Sequence, residues 1–172
     1  MKKLETKSIE QLVEIIPNHP GLRISQFSDG GEDFSNKLSQ LCLSRESEYQ
    51  LNVLNEEFYE RAQKLYAQEK LSSVKLIKWN QRRYSSPAKQ YDFIFITATV
   101  PENHRRLFAK IIHSHIKNSG HLILFLEKNN HKNIEEWYNF LEEYLFVAMN
   151  TIDLFENYEI LISKKMHGWG GK

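Results

Sequence analysis

Apolar residues along this chain keep two rhythms, and each change of rhythm marks an element boundary. Leu12, Ile15 and Ile16 share one face of a helix over Ile9–Ile16, opened by a capping box formed from Ser8 and Gln11. Pro17–Gly21 stops it. Leu22, Ile24 and Phe27 then alternate with polar residues, predicting a strand, and after a Gly-Gly turn Phe34, Leu38, Leu41 and Cys42 return to helical spacing. A second strand, Tyr49–Leu54, runs into a helix over Glu56–Lys70 striped by Phe58, Ala62 and Leu65. Ser73–Trp79 alternates as a third strand, and a polar loop, Asn80–Gln90, follows. Tyr91–Ala98 is almost continuously apolar and β-branched, the pattern of a strand buried on both faces. A helix over Glu102–Lys117 ends at Asn118–Gly120, and His121–Glu127 is another fully apolar strand. Asn133–Leu145 is amphipathic, and strands at Val147–Phe155 and Tyr158–Lys164 close the chain around a short turn.

Strands alternating with helices predict an α/β fold, a three-layer sandwich with helices on both faces of a mostly parallel sheet. About seven strands are expected, the last antiparallel. One domain covers residues 1–164, and 165–172 form a tail with glycines and a tryptophan. Ligands of such sheets lie beyond the carboxyl ends of the strands, where the strand order reverses. Those ends are Phe27–Glu32, Leu54–Glu57, Trp79–Gln81 and Thr97–Glu102.

Composition narrows the partners. With 23 Lys and Arg against 22 Asp and Glu, the formal net charge of +1 does not point to nucleic acid, although a local basic patch stays open. The only cysteine, Cys42, excludes an internal disulfide and reads either as a buried thiol or as a nucleophile. No leader and no membrane-length apolar run is visible, so a cytoplasmic protein without a membrane partner is expected.

The order of elements over residues 22–164 resembles the class I S-adenosylmethionine-dependent methyltransferases. In that family the first strand ends in an acidic residue and a Gly-x-Gly-x-Gly turn. Here Gln26 stands at the acidic place, Ser28 at the first glycine, Gly30 at the second and Glu32 at the third. The family's ribose-binding carboxylate, at the end of the second strand, is matched by Asn55, with Glu56 beside it. Asn80 or Gln81 stands where a polar residue contacts adenine. Tyr91–Ile96, with Asp92 near its start, is similar to the family's fourth strand, and Asn118–Phe125 to its turn and fifth strand. Ile96–Glu102 lacks the Asn/Asp-Pro-Pro-Tyr/Phe of amino-methyltransferases.

The resemblance implies that Gln26, Ser28 and Gly30 line the methionine side of S-adenosylmethionine, Asn55 or Glu56 the ribose, and Asn80 or Gln81 the adenine. Thr97 and Thr99 face the methyl acceptor. Asp29, Glu32 and Asp33 crowd the turn with negative charge, which disfavours NAD and nucleotide phosphates and repels a methionine carboxylate. The same acids suit a helix N-terminus that holds no ligand. Two readings follow: a methyltransferase acting on an unidentified acceptor, or an inactive domain of the same fold serving as a binding or assembly module. No catalytic base is assigned.

No metal is expected, because His113, His115 and His121 lack ligand spacing. Gln81–Arg83 and His104–Arg106, with Trp79, Tyr84 and Lys89 nearby, read as solvated surface or as a small phosphate or RNA patch. Trp137, Phe140, Leu141 and Tyr144 recur at core spacing. The terminal residues, with Trp169 among three glycines, read as a disordered tail, a latch on the body or a peptide for a partner.

Overall fold

A computed structural model of the protein describes residues 1–166. Its elements are α1 (Thr6–Val13), β1 (Arg23–Ser28), α2 (Asp33–Ser44), β2 (Glu48–Val53), α3 (Glu56–Tyr66), β3 (Ser72–Leu76) and β4 (Tyr91–Ile96). A 3-10 turn, Glu102–His104, leads into α4 (Arg105–His113), and β5 (Ile116–Glu127), α5 (His131–Glu143), β6 (Phe146–Ile152) and β7 (Tyr158–Lys165) complete the chain. The seven strands form one sheet in the order β3-β2-β1-β4-β5-β7-β6. β7 runs antiparallel to both its neighbours, and the other pairings are parallel. The expected three-layer α/β sandwich is therefore present. Its order reverses between β1 and β4, which puts the switch point beside the glycine turn.

Two apolar cores flank the sheet. One joins α1, α2 and α3 to the sheet through Leu12, Phe34, Leu38, Phe58 and Phe95. The other packs α4 and α5 on the opposite face through Phe108, Ile112, Trp137 and Leu141. Fully burying each of these side chains contributes about 1.5–3 kcal/mol, so both faces are committed to the fold. The β3–β4 crossover, Ile77 to Gln90, contains no helix, and Ile77 and Tyr84 fill its share of the second core.

Several details differ from the sequence reading. Ser8 does not cap α1: it sits inside the helix, and its hydroxyl donates to the Leu154 carbonyl at 2.6 Å. β3 ends at Leu76 rather than Trp79, because the chain leaves the sheet edge to cross the second face. α4 ends at His113, and Asn118–Gly120 is an irregularity inside β5 instead of a helix stop. Gly120 is needed there, since a Cβ would stand 2.5 Å from Ile116 Cγ2 and 2.9 Å from the Lys117 carbonyl oxygen. β7 continues to Lys165, and Met166 N–H donates to the Leu145 carbonyl, while the rest of the tail lies outside the described residues. No helix among the described residues is long and apolar enough to cross a membrane.

Candidate functional site

The turn after β1 is built by its own backbone. Ser28 is fully buried, its hydroxyl donating to the Gly30 carbonyl at 3.0 Å and accepting the Gly30 N–H at 3.2 Å. That closure forces Gly30 to φ +143° and Gly31 to φ +85°, conformations that L side chains rarely adopt. Nothing lies within 4 Å of the place a Gly30 Cβ would take, so the backbone there faces open space. Over Gly31 lies Met1, 3.6 Å from the equivalent point, and Lys2 N–H donates to Tyr158 Oη at 2.8 Å. The N-terminal segment thus runs across the carboxyl edge of the sheet.

Gln26 belongs to the core. It is fully buried on the α2 side, where its Oε1 accepts from Tyr49 Oη at 2.6 Å and Ser35 Oγ at 3.1 Å. Its Nε2 donates to Thr97 Oγ1 at 2.9 Å. This is a correction: Gln26 holds β1, β2, α2 and β4 together rather than lining a ligand. Thr97 is corrected likewise, because it is buried and its hydroxyl donates to the Phe27 carbonyl at 3.0 Å. Thr99 is exposed, and its N–H donates to Asp29 Oδ2 at 3.0 Å.

Asp29 is the residue that sequence reasoning missed as a site group. Its Oδ2 ties the glycine turn to the β4 loop, and its Oδ1 is buried with no partner among the described residues. A buried carboxylate oxygen without a donor costs on the order of 1–3 kcal/mol or more, so it marks a place for a donor. Glu32, expected to crowd the ligand, is drawn aside by Arg61 of α3, whose Nε lies 2.9 Å from Glu32 Oε1. Arg61 also stands over the Phe58 ring at 5.4 Å.

Asn55 and Glu56 are exposed at the start of α3. Asn55 Oδ1 accepts the Phe58 N–H at 3.0 Å as the helix cap, which leaves its side-chain N–H donors for a ligand. Asn80 is exposed, and Gln81 is half-buried with its Oε1 accepting Lys78 N–H at 2.6 Å. Beyond β4 and β5 a cavity of about 140 Å³ lies among Thr99, Arg105, Asn130, Asn133, Trp137 and Tyr158. Asn133 Oδ1 is buried and has no partner among the described residues, whereas Arg105 is held by the Val100 carbonyl and lies 3.6 Å from Glu136.

Other candidates resolve into structure. Asp92 sits at the opposite end of the sheet, accepting from Arg23 N–H at 2.9 Å and Lys117 Nζ at 3.2 Å. Cys42 is buried, and burial pushes its thiol up to about 12, which leaves no thiolate for catalysis. His115 is buried as well and accepts the Tyr84 N–H at 3.1 Å. Burial, helped by Arg83 and Lys75, lowers its pKa to about 4, so it is neutral at pH 7. No cluster of metal-ligating side chains occurs among the described residues. In the basic patch, Tyr84 is buried, Lys89 lies 3.4 Å from Glu48, and Arg105 and Arg106 pair with Glu136 and Glu143.

No protein-family model and no curated protein sequence matches the chain. Solved structures match its fold. A TehB-like S-adenosylmethionine-dependent methyltransferase from Corynebacterium glutamicum superposes with a TM-score of 0.71 at 10% identity, over 92% of this chain and 86% of that one. An S-adenosylmethionine-dependent O-methyltransferase from Thermotoga maritima gives 0.75 at 13% identity, over 96% and 67%. The N-methyltransferase NodS from Bradyrhizobium japonicum gives 0.70 at 12% identity, over 94% of both chains. The chain has the fold of class I S-adenosylmethionine-dependent methyltransferases.

Proposed function

We propose that this protein binds S-adenosylmethionine at the switch point between β1 and β4 and transfers its methyl group to an acceptor held beyond β4 and β5. The observation that carries the reading is the unpaired Oδ1 of Asp29, next to Gly30, whose backbone faces open space. Fold alone would not support an activity, because one fold hosts many functions.

The residues present fit the cofactor. Asp29 Oδ1 would accept from its ammonium group, and the Gly30 backbone would allow close approach of its methionine portion. Asn55 and Glu56 would hold the ribose, and Asn80 and Gln81 the adenine. When bound, the cofactor supplies an electrophilic methyl group. The protein's part is positioning, which lowers the barrier by aligning the reacting groups. The cavity beside Thr99 would seat the acceptor, with Asn133 Oδ1 accepting a hydrogen bond from it. A nucleotide diphosphate remains disfavoured at this turn, since Asp29 and Asp33 add negative charge where phosphates would lie.

Thermal unfolding with S-adenosylmethionine and S-adenosylhomocysteine tests this. A ligand at a hundredfold excess over its dissociation constant stabilises the native state by about 2.7 kcal/mol, so a saturable rise in Tm is expected. A folded protein whose Tm does not move at millimolar ligand leaves the binding or assembly module as the reading.

A further inference from the structure

Between Glu69 and Asp92 the chain carries six cations, Lys70, Lys75, Lys78, Arg82, Arg83 and Lys89, and no acidic residue. In a nearly neutral protein this is a concentrated charge, and the fold gathers it. The segment includes the one parallel crossover that has no helix, so its side chains are not spread around a helical cylinder. Tyr84 fixes the crossover instead. Its N–H donates to His115, its carbonyl accepts from Gln50 Nε2 at 3.2 Å, and its hydroxyl donates to the Trp79 carbonyl at 3.1 Å. Its ring packs edge-on against Phe27 at 5.1 Å. The loop is therefore held in place before any partner arrives, which lowers the entropic cost of binding.

Two hollows flank this anchored loop and share Gln81 and Arg83. One, of about 500 Å³, lies by the β3 edge and includes Lys75. The other, of about 360 Å³, lies against α4 and joins Arg82 and Arg83 to Lys110. Neither contains an acidic side chain. Lys75, Lys78, Arg82, Arg83 and Lys110 make no ion pair among the described residues, unlike the cations of the Arg105–Arg106 pair. The second hollow is not only charged. Leu107, 48% exposed, and Ile111 give it an apolar wall, and Asn80 and Ser114 add short polar groups.

We propose that the two hollows bind single-stranded nucleic acid, with Lys75, Arg82, Arg83 and Lys110 on the phosphates and a base against Leu107 and Ile111. Cations beside an apolar wall match the alternation of phosphate and base in an unpaired strand, whose bases are free to turn inward. A duplex keeps its bases stacked away from such a wall. A purely acidic peptide such as polyglutamate lacks the flat rings, and a lipid surface does not enter two concave hollows. The hollows share Asn80 and Gln81 with the proposed adenine side of the cofactor, whereas their cations and apolar wall lie apart from Asp29 and the glycine turn.

The test is fluorescence anisotropy with a labelled 20-nucleotide single-stranded RNA, the DNA of the same sequence, the matching duplex, polyglutamate and phosphatidylserine vesicles. Either single strand should bind more tightly than the duplex, and the tighter of the two identifies the sugar that is read. Log affinity should fall linearly with log salt, with a slope of about −0.7 for each phosphate neutralised. Joint Arg82→Glu, Arg83→Glu and Lys110→Glu exchange should cost at least about tenfold in affinity and flatten that slope. Leu107→Ser should weaken binding severalfold without changing the slope. Lys3→Glu, Lys7→Glu and Lys132→Glu together serve as the charge control and should lose far less. Absence of strand binding by folded protein at low salt would overturn the proposal. So would polyglutamate, vesicles or duplex binding as tightly as the strands, or a triple variant indistinguishable from the control. The Tm shift with S-adenosylmethionine, measured on the same samples, reads the methyltransferase proposal separately.

Discussion

Two loops leave the same edge of the sheet and are held by opposite means. The turn after β1 is four residues long, closed on itself by Ser28 and Gly30, and acidic. The β3–β4 crossover is long and basic, and one buried tyrosine anchors it from the side. In the first, geometry comes from backbone freedom, so the side chains are left for chemistry: Asp29 keeps an unpaired oxygen. In the second, geometry comes from a side chain, and Lys78, Arg82 and Arg83 make no ion pair among the described residues, although Lys89 pairs with Glu48. The acidic turn is thereby suited to ammonium and sulfonium charge, and the basic crossover, which runs over the second face, to phosphates.

The largest effect expected from breaking this contrast is on the crossover. Tyr84→Ala removes a buried ring, and about 3–5 kcal/mol of stability should be lost, read by chemical denaturation. Tyr84→Phe, which forfeits only the bond to the Trp79 carbonyl, should cost about 1 kcal/mol. On the turn, Asp29→Asn should hardly change stability yet weaken S-adenosylmethionine by roughly 10–100-fold in calorimetry, the value of a hydrogen bond to a charged group. Gly30→Ala strains a φ of +143° and should lower stability by about 1–2 kcal/mol, with ligand affinity falling alongside.

The pH response belongs to the crossover. His115 titrates near 4 in the folded chain against an ordinary 6.5, so the unfolded chain takes up its proton first as pH falls. Stability from this group is full above about pH 6.5 and is lost progressively down to about pH 4. His113 and His121 are also lowered, chiefly by burial, and act in the same sense. A Tm profile of His115→Gln should show a shallower slope in that window without becoming flat. Smallest of all, Arg61→Ala breaks an exposed pair with Glu32 and should cost less than about 1 kcal/mol.

Strand and helix order was legible because apolar spacing changes sharply at each boundary, and Tyr91–Ile96 and Leu122–Leu126 read as buried strands from composition alone. Polar residues within strands were not legible. Ser25, Gln50 and Asn52 look like the solvent face of alternating strands, yet they are buried and bonded to one another and to Tyr91. The same ambiguity hid Gln26, whose partners Tyr49 and Thr97 are distant along the chain and reach it through sheet pairing, while Ser35 reaches it from α2. Asn118–Gly120 carried a helix-stop pattern because a bulge and a helix terminus both use backbone of positive φ, seen here at Ser119. Gly30 and Asn55 stand out by their position in a motif, whereas Asp29 has no such mark and is singled out by its unpaired oxygen.

Amide shifts across a titration with S-adenosylhomocysteine, followed by nitrogen-15 NMR, bear most directly on the turn between β1 and β4. Saturable shifts concentrated at Asp29, Gly30, Gly31, Asn55 and Asn80, and reduced in Asp29→Asn, are the expected result. A folded spectrum that stays unchanged at millimolar ligand, or shifts that gather away from this edge, would refute a cofactor site at the glycine turn.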